Sequence, residues 1–225
     1  MKIWIPHRPI HVILFLLLAF LCYQAHQLTR HVVGATLCRG FGTMTFTVAT
    51  TREPCTYPTV VVLSGPVLTY GLAYFGAFLL RSRRWALFAY ALIFASFSHL
   101  RFIQSLTGRG DELILAQQWF GITSPFVVAG IVFVIGLPPV IAAFRVIPNS
   151  HRWAVFITSL VLPLPVLVIL LFGSAFLYEH SSIGTVFGSL LGIWLMVLVV
   201  DLAAAALFLA LLPRGVTVQE VITSS

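Results

Sequence analysis

Polar residues with metal-binding chemistry lie close together at the end of the first apolar segment. The stretch Tyr23–Thr47 begins as the outer part of a helix and contains His26, Gln27, Arg30 and His31. Helical metalloproteases bind zinc with histidines at i and i+4, and a glutamate at i+1 takes a proton from water. Here the i+4 residue is an arginine, which cannot bind a cation, and the i+1 residue is a glutamine, which cannot act as a base. By this chemistry the stretch lacks both the second metal ligand and the base that a metalloprotease needs.

Three further residues are candidate ligands beside His26. His31 is five residues along the helix and would join only if the helix is distorted or ends there. His99 lies near the end of a later apolar segment, and Asp111 lies in a glycine-rich turn, Gly108–Glu112, that we expect on the same side of the membrane. The candidate zinc ligands are therefore His26, His31, His99 and Asp111. The alternative is that the histidines sit at the headgroup level and that the turn is an ordinary interfacial loop.

The composition indicates a polytopic membrane protein. Hydrophobic residues make up 60% of the chain, charged residues 8%, and the mean hydropathy is +1.03, whereas soluble domains carry about 25% charged residues. The net charge of +7 comes from short basic clusters between apolar runs. That distribution fits the positive-inside rule better than a nucleic-acid-binding groove. The bilayer is the expected partner, and nucleic acid is not.

Six apolar runs are long enough to cross about 30 Å of hydrocarbon. They are approximately Ile10–Tyr23, Pro58–Leu80, Trp85–Gln104, Phe120–Phe144, Trp153–Leu177 and Gly184–Leu212. We expect the first to be completed by Gln24–Val33 and to serve as an uncleaved anchor. With the N-terminus inside, every inner segment is net positive, which places both termini in the cytoplasm. We expect the membrane to be the bacterial cytoplasmic membrane.

The segment after the first helix holds two cysteines and an alternating pattern. Cys38 and Cys55 fall in the same outer loop, where an oxidising compartment allows a disulfide; the alternative is two free thiols. Between them, Phe41–Val48 alternates threonine with apolar residues, which predicts a small β-hairpin at the membrane edge. The predicted fold is therefore an all-α membrane protein of six helices, with this hairpin after the first helix.

Two features of the later helices are notable. Gly65 begins a stripe of small residues repeating every four positions, which favours close helix packing, and Pro66 should bend the second helix. Asp201 lies within the last apolar run. A carboxylate there is costly and marks a functional or paired group. We expect it in the inner half of its helix, away from the histidines.

The order of these elements resembles the site-2-protease family of intramembrane zinc metalloproteases. HQLTR, from His26 to Arg30, stands where that family has HExxH. Phe41–Val48 stands at the membrane-edge hairpin, Gly65-Pro66 at the Gly-Pro helix, and Asp111 at the late acidic ligand. The resemblance covers residues 10–115. It implies a single membrane domain, residues 1–225, with a protease-like core at 10–115, three additional helices at 120–212 and a polar tail at 213–225.

Three functions follow as expectations. The first is a non-catalytic relative of these proteases that binds a membrane substrate or a partner protein. The second is an atypical zinc metallopeptidase, and the third is a small transporter or an accessory subunit of a membrane complex, for which Asp201 is the main support. Zinc is the one cofactor that the residues suggest.

Overall fold

The computed structural model describes residues 9–147, 152–170, 189–191 and 193–215. The helices are α1 (Pro9–Leu37), α2 (Pro58–Leu79), α3 (Ala86–Ala95), α4 (Ser98–Leu106), α5 (Asp111–Phe120), α6 (Pro125–Val146), α7 (Arg152–Val161) and α8 (Leu195–Gly215). A 3₁₀ turn, Arg83–Trp85, precedes α3, and helix resumes after α7 over residues 164–170. Two antiparallel two-residue strands, β1 (Ser189–Leu190) and β2 (Ile193–Trp194), precede α8.

Among the described residues, six helical segments are long and apolar enough to cross a membrane. They are Pro9–Leu37, Pro58–Leu79, Ala86–Leu106, Pro125–Val146, Arg152–Leu170 and Leu195–Leu212. This fits an integral, polytopic membrane protein and agrees with the six runs expected from hydropathy. The first helix does continue through the polar stretch after Tyr23, because Gln24 and His26 remain within α1.

Helices α1 and α2 form the centre of the bundle. α1 packs against α2, α3 and α8, while α2 also packs against α5 and α6. One buried cluster joins Ala19 and Cys22 of α1 to Leu92 of α3 and Val197 of α8. Because lipid is as apolar as these side chains, their burial against each other gains packing contacts and little hydrophobic free energy. Polar contacts between the helices therefore matter more for stability than they would in a soluble core.

The predicted hairpin over Phe41–Val48 is wrong. This stretch makes a single antiparallel bridge, between Met44 and Ala49, and no described strand lies within it. Met44 also bridges to Ile193, so the loop meets the short β1–β2 pair far along the chain. The alternation of threonine and apolar residues arises instead because Met44 and Phe46 point into the core. A loop with buried apolar anchors produces the same pattern as a strand.

The turn expected at Gly108–Glu112 is shorter than predicted. Gly110 has a φ of 108°, a conformation that favours glycine, and helix α5 begins directly afterwards at Asp111. Asp111 and Glu112 thus lie in the first turn of α5, where the helix dipole favours negative charge. Because α5 packs against α2, the Asp111 side chain is held in the bundle.

The last helix begins later than the apolar run suggested. α8 starts at Leu195, and residues 171–188 lie outside the described part of the chain. Asp201 is therefore the seventh of 21 residues in its helix, close to the β1–β2 end. The expectation that Asp201 occupies the inner half of its helix stays a prediction, because it also depends on which end of α8 faces the cytoplasm.

Cys38 and Cys55 form a disulfide with their Cα atoms 4.4 Å apart. It joins the end of α1 to the segment that leads into α2. The bond ties together the two helices that carry His26 and Gly65. Cys22 is free and buried.

Candidate functional site

The approach of α1 to α2 depends on small residues. Gly65 packs against the imidazole of His26, and a Cβ added at this glycine would collide with the ring. One turn later, Thr69 Oγ1 lies 3.0 Å from His26 Nδ1. The stripe of small residues on α2 is thus the surface that seats the histidine, which is 5% exposed.

Asp111 meets His26 from the first turn of α5. Its Oδ2 atom lies 3.3 Å from Nε2 of the histidine and 3.2 Å from Nη1 of Arg101, while Oδ1 lies 3.0 Å from Nη1 of Arg30. Positions 26, 30 and 111 therefore converge on one point. Position 30 is an arginine and not a histidine, and its guanidinium group pairs with the carboxylate of Asp111.

Arg101 completes this group, and its place near a helix end did not single it out in the sequence. Its side chain is 10% exposed, and its Nη2 atom lies 2.7 Å from Nδ1 and 2.9 Å from Nε2 of His26. Ser98 and Ser105 are fully buried on the same face of α4. The sequence does hold one signal that Arg101 points inward. Ser98 and Ser105 lie three and four positions from it, so the three residues share one polar face of the helix.

A break between α3 and α4 aims this face at the site. The break lies at Phe97, whose φ of 59° places it in the left-handed region that bulky residues rarely occupy. Phe97 is itself buried and forms an edge-to-face contact with Tyr23 of α1. The strained residue is thus held by packing against the helix that carries His26.

We call His26, Arg30, Arg101, Asp111 and Glu112 the ion cluster. Glu112 Oε2 lies 3.5 Å from Arg101 Nη1. Its Oε1 accepts a hydrogen bond of 3.2 Å from Tyr70 of α2. Two arginines and two carboxylates balance in charge, so the cluster is neutral when the histidine is neutral. A neutral, hydrogen-bonded group is the form in which charges tolerate burial.

The contacts of His26 indicate which of its two ring nitrogens carries the proton. A carboxylate only accepts hydrogen bonds, so Nε2 carries the proton and donates to Asp111. Nδ1 then has one lone pair, which can accept a hydrogen bond from Arg101 Nη2 at 2.7 Å or from Thr69 Oγ1 at 3.0 Å. The ring bridges the carboxylate and the guanidinium, and no ring nitrogen is left over to bind a further ligand.

The surroundings of Asp111 favour its ionised form. Burial by itself would raise the pKa of this carboxyl group, but the hydrogen bond from His26 and the positive charges of Arg30 and Arg101 outweigh it. The pKa falls from its ordinary value of 3.8 to about 2. Asp111 is therefore a permanent negative charge at neutral pH.

The other two candidate histidines make their contacts elsewhere. His31 Nε2 lies 2.8 Å from the carbonyl oxygen of Leu191, and its ring stacks on Phe41. His99 Nε2 lies 3.1 Å from the carbonyl oxygen of Leu160. Within the described ranges, no three His, Cys, Asp or Glu side chains converge as a metal site would require. Zinc binding by the predicted set of four residues stays a prediction.

Gln27, which the resemblance aligns with a catalytic base, has a structural contact. Its Nε2 donates to the carbonyl oxygen of Thr47 at 3.2 Å, and Gln24 does the same to Phe46 at 3.2 Å. These two amides hold the loop after α1 against the helix. We call residues 41–49 the platform loop. Its tip exposes Phe41 and Val48.

Asp201 lies on the face of α8 that packs against α1, and no described hydrogen bond or ion pair joins it to the ion cluster. Val197 and Ala204, four residues before and three residues after Asp201, are buried on this face. The Oδ1 atom of Asp201 is buried without a hydrogen-bond partner in the described part of the chain.

Comparison with protein-family models, curated proteins and solved structures gives no significant match to this chain. The interpretation of the site therefore depends on its own geometry and chemistry.

Proposed function

We propose that this chain is a non-catalytic relative of the site-2 proteases that binds a membrane substrate or a partner protein. One observation carries the proposal: positions 26, 30 and 111 meet at one point, and Arg30 contributes a cation there. In the site-2 proteases, the family that this chain resembles, the residues at these three positions would surround zinc. We place the protein in the bacterial cytoplasmic membrane with both termini inside, on the distribution of its arginines.

The ion cluster substitutes for a metal centre in electrostatic terms. A zinc ion would bring two positive charges to His26 and Asp111, and the guanidinium groups of Arg30 and Arg101 bring the same number. Arginine cannot lose its proton in proteins, so this positive charge is permanent. Zinc would have to displace both side chains from Asp111, at the cost of separating two largely buried charges from the carboxylate that they share.

The described residues of this site do not include the groups that peptide hydrolysis requires. A metallopeptidase needs an activated water and a base to take its proton. Gln27 is neutral, and its amide nitrogen is engaged with the platform loop. The cluster therefore supports a structural function: it fixes α1, α2, α4 and α5 relative to one another and holds the scaffold in shape.

The platform loop is the surface we propose for the partner. Its two exposed apolar residues, Phe41 and Val48, are 46% and 52% exposed. They lie on a loop held by the amides of Gln24 and Gln27 and by the bridge to Ile193. A rigid loop loses little conformational entropy on binding.

Site-specific photocrosslinking in native membranes tests this function. A photoreactive residue at Val48 should give a discrete cross-linked product, whereas the same residue at Phe78, which is 62% exposed on the far part of α2, should give only diffuse lipid adducts. An excess of partner without the photoreactive group should lower the amount of the cross-linked product at Val48. Equal products at the two positions, or no product at Val48, would contradict partner binding by the loop.

The transporter alternative has one supporting observation, the buried oxygen of Asp201 without a hydrogen-bond partner among the described residues. A proton-coupled transporter should lose transport in Asp201→Asn and keep it in His26→Ala. Loss of the Val48 product in His26→Ala but not in Asp201→Asn would favour the partner-binding function instead.

A further inference from the structure

A groove of about 570 Å³ lies between α2 and α6, at the ends of these helices that are far from the ion cluster. Its lining residues are Tyr74, Ala77, Phe78, Leu80, Arg81, Ala142 and Val146. This volume is within the range of about 300–1,000 Å³ that is typical of ligand pockets. Apart from Arg81 and one hydroxyl, the lining is apolar, and it opens outward beside the exposed ring of Phe78.

The groove has a fixed wall because of a proline. Pro139 has no N–H, so the carbonyl oxygen of Ile135 lacks its usual helical donor. The hydroxyl of Tyr74 donates to that oxygen at 2.9 Å across the gap between α2 and α6. This bond fixes the Tyr74 ring at one end of the groove. Beyond Tyr74, the lining residues fill the space between α2 and α6.

Arg81 lies at the open end of the groove, and the segments that border it are basic in sequence. Residues 80–86 and 142–147 hold four arginines and no acidic residue: Arg81, Arg83, Arg84 and Arg145. The Arg81 guanidinium lies 5.8 Å from the centroid of the Phe78 ring, and it forms no ion pair with a described carboxylate. Trp85 is half-exposed at the same level, as expected for a residue at the boundary of hydrocarbon and water. An unpaired cation at the mouth of an apolar groove complements a molecule with one anionic and one apolar end.

We propose that this groove binds an anionic phospholipid, with one acyl chain between α2 and α6 and the phosphate group on Arg81. Basic pockets between membrane helices bind anionic headgroups in this way. The site is independent of the ion cluster and of the proposed partner-binding loop.

Native mass spectrometry of the full-length protein tests the site. The protein is titrated with phosphatidylglycerol or phosphatidylcholine of identical chains. We expect tighter binding of phosphatidylglycerol, and about a fivefold loss of this affinity in Arg81→Gln, since one basic residue contributes about that much near a lipid surface. Binding of phosphatidylcholine should not change in this variant.

Arg109→Gln is the matched control, because Arg109 is an exposed arginine at the cluster end of the bundle and should keep full affinity. Ala142→Phe, or the smaller change Ala77→Leu if the first does not fold, should lower binding of both lipids by filling the groove. Equal affinity of the two lipids in the unaltered protein would overturn the proposal. So would equal losses in Arg81→Gln and Arg109→Gln, or full binding in a folded groove-filling variant.

Discussion

Replacing Asp111 by asparagine should destabilise the bundle, because the buried guanidinium group of Arg101 and the partly buried one of Arg30 lose their shared counter-charge. The carboxylate lies 3.0 Å from Arg30 and 3.2 Å from Arg101. At these distances the attraction is about 5 kcal/mol per pair for an effective dielectric constant of about 20. The cost of removing the charges from water offsets much of it, and breaking a buried pair costs about 3–5 kcal/mol. We expect a loss near 3 kcal/mol in the free energy of unfolding, because Glu112 remains beside Arg101.

The assay is equilibrium unfolding in mixed micelles, followed by tryptophan fluorescence. Glu53→Gln is the control, since Glu53 is an exposed carboxylate on the cluster side. Surface changes of this kind alter stability by about 0.5 kcal/mol or less. Comparing the two variants separates loss of the ion cluster from loss of negative charge in general.

A double-mutant cycle with Arg30→Gln isolates the ion pair. The combined Arg30→Gln/Asp111→Asn protein should lose less than the sum of the two single losses, by about 1–3 kcal/mol, because the second change removes a charge that the first left unpaired. Strict additivity would refute the reasoning. So would a loss below about 1 kcal/mol in Asp111→Asn alone.

Two further predictions concern the same site. Gly65→Ala should push the His26 ring out of place and cost about 1–3 kcal/mol in the same unfolding assay. Gly71→Ala on the same helix, where a Cβ meets no atom within 4 Å, should be nearly neutral; equal effects would contradict the packing. Lowering the pH should remove about 2 kcal/mol of stability between pH 4 and pH 2, because the pKa of Asp111 is about 2 in the folded protein and 3.8 ordinarily. The unfolded chain then binds a proton first, so stability is present above this window and is lost as the pH falls through it. Asp111→Asn should flatten this part of the profile, and an unchanged profile would argue against the pairing.

The sequence was sufficient to anticipate that His26 and Asp111 lie on one side of the bundle, because span count and loop position determine the side. It was not sufficient for Arg101. A single arginine near a helix end is compatible with either reaching the surface or turning inward, and the choice here depends on the left-handed turn at Phe97. Such a turn is set by tertiary packing and has no local signal in the sequence.

The two errors in the fold have a common cause. Alternation over Phe41–Val48 reflects which side chains enter the core, and it cannot tell a paired strand from a loop clamped by Gln24 and Gln27. Hydropathy likewise reports that residues are apolar and not where a helix begins, so the predicted start of the last helix, Gly184, is earlier than the observed start of α8 at Leu195. In both cases the deciding contacts join segments that are far apart in the chain.

Zinc content of the purified protein tests the central claim most directly. After equilibration with zinc and removal of the excess, the unaltered chain should hold less than about 0.1 zinc per molecule, because Arg30 and Arg101 contact the atoms of His26 and Asp111 that would have to bind the metal, and arginine stays charged at every accessible pH. Arg30→His combined with Arg101→Gln should raise the content towards one, since two imidazoles and a carboxylate would then face one another. Stoichiometric zinc in the unaltered protein, lost in His26→Ala, would contradict the account.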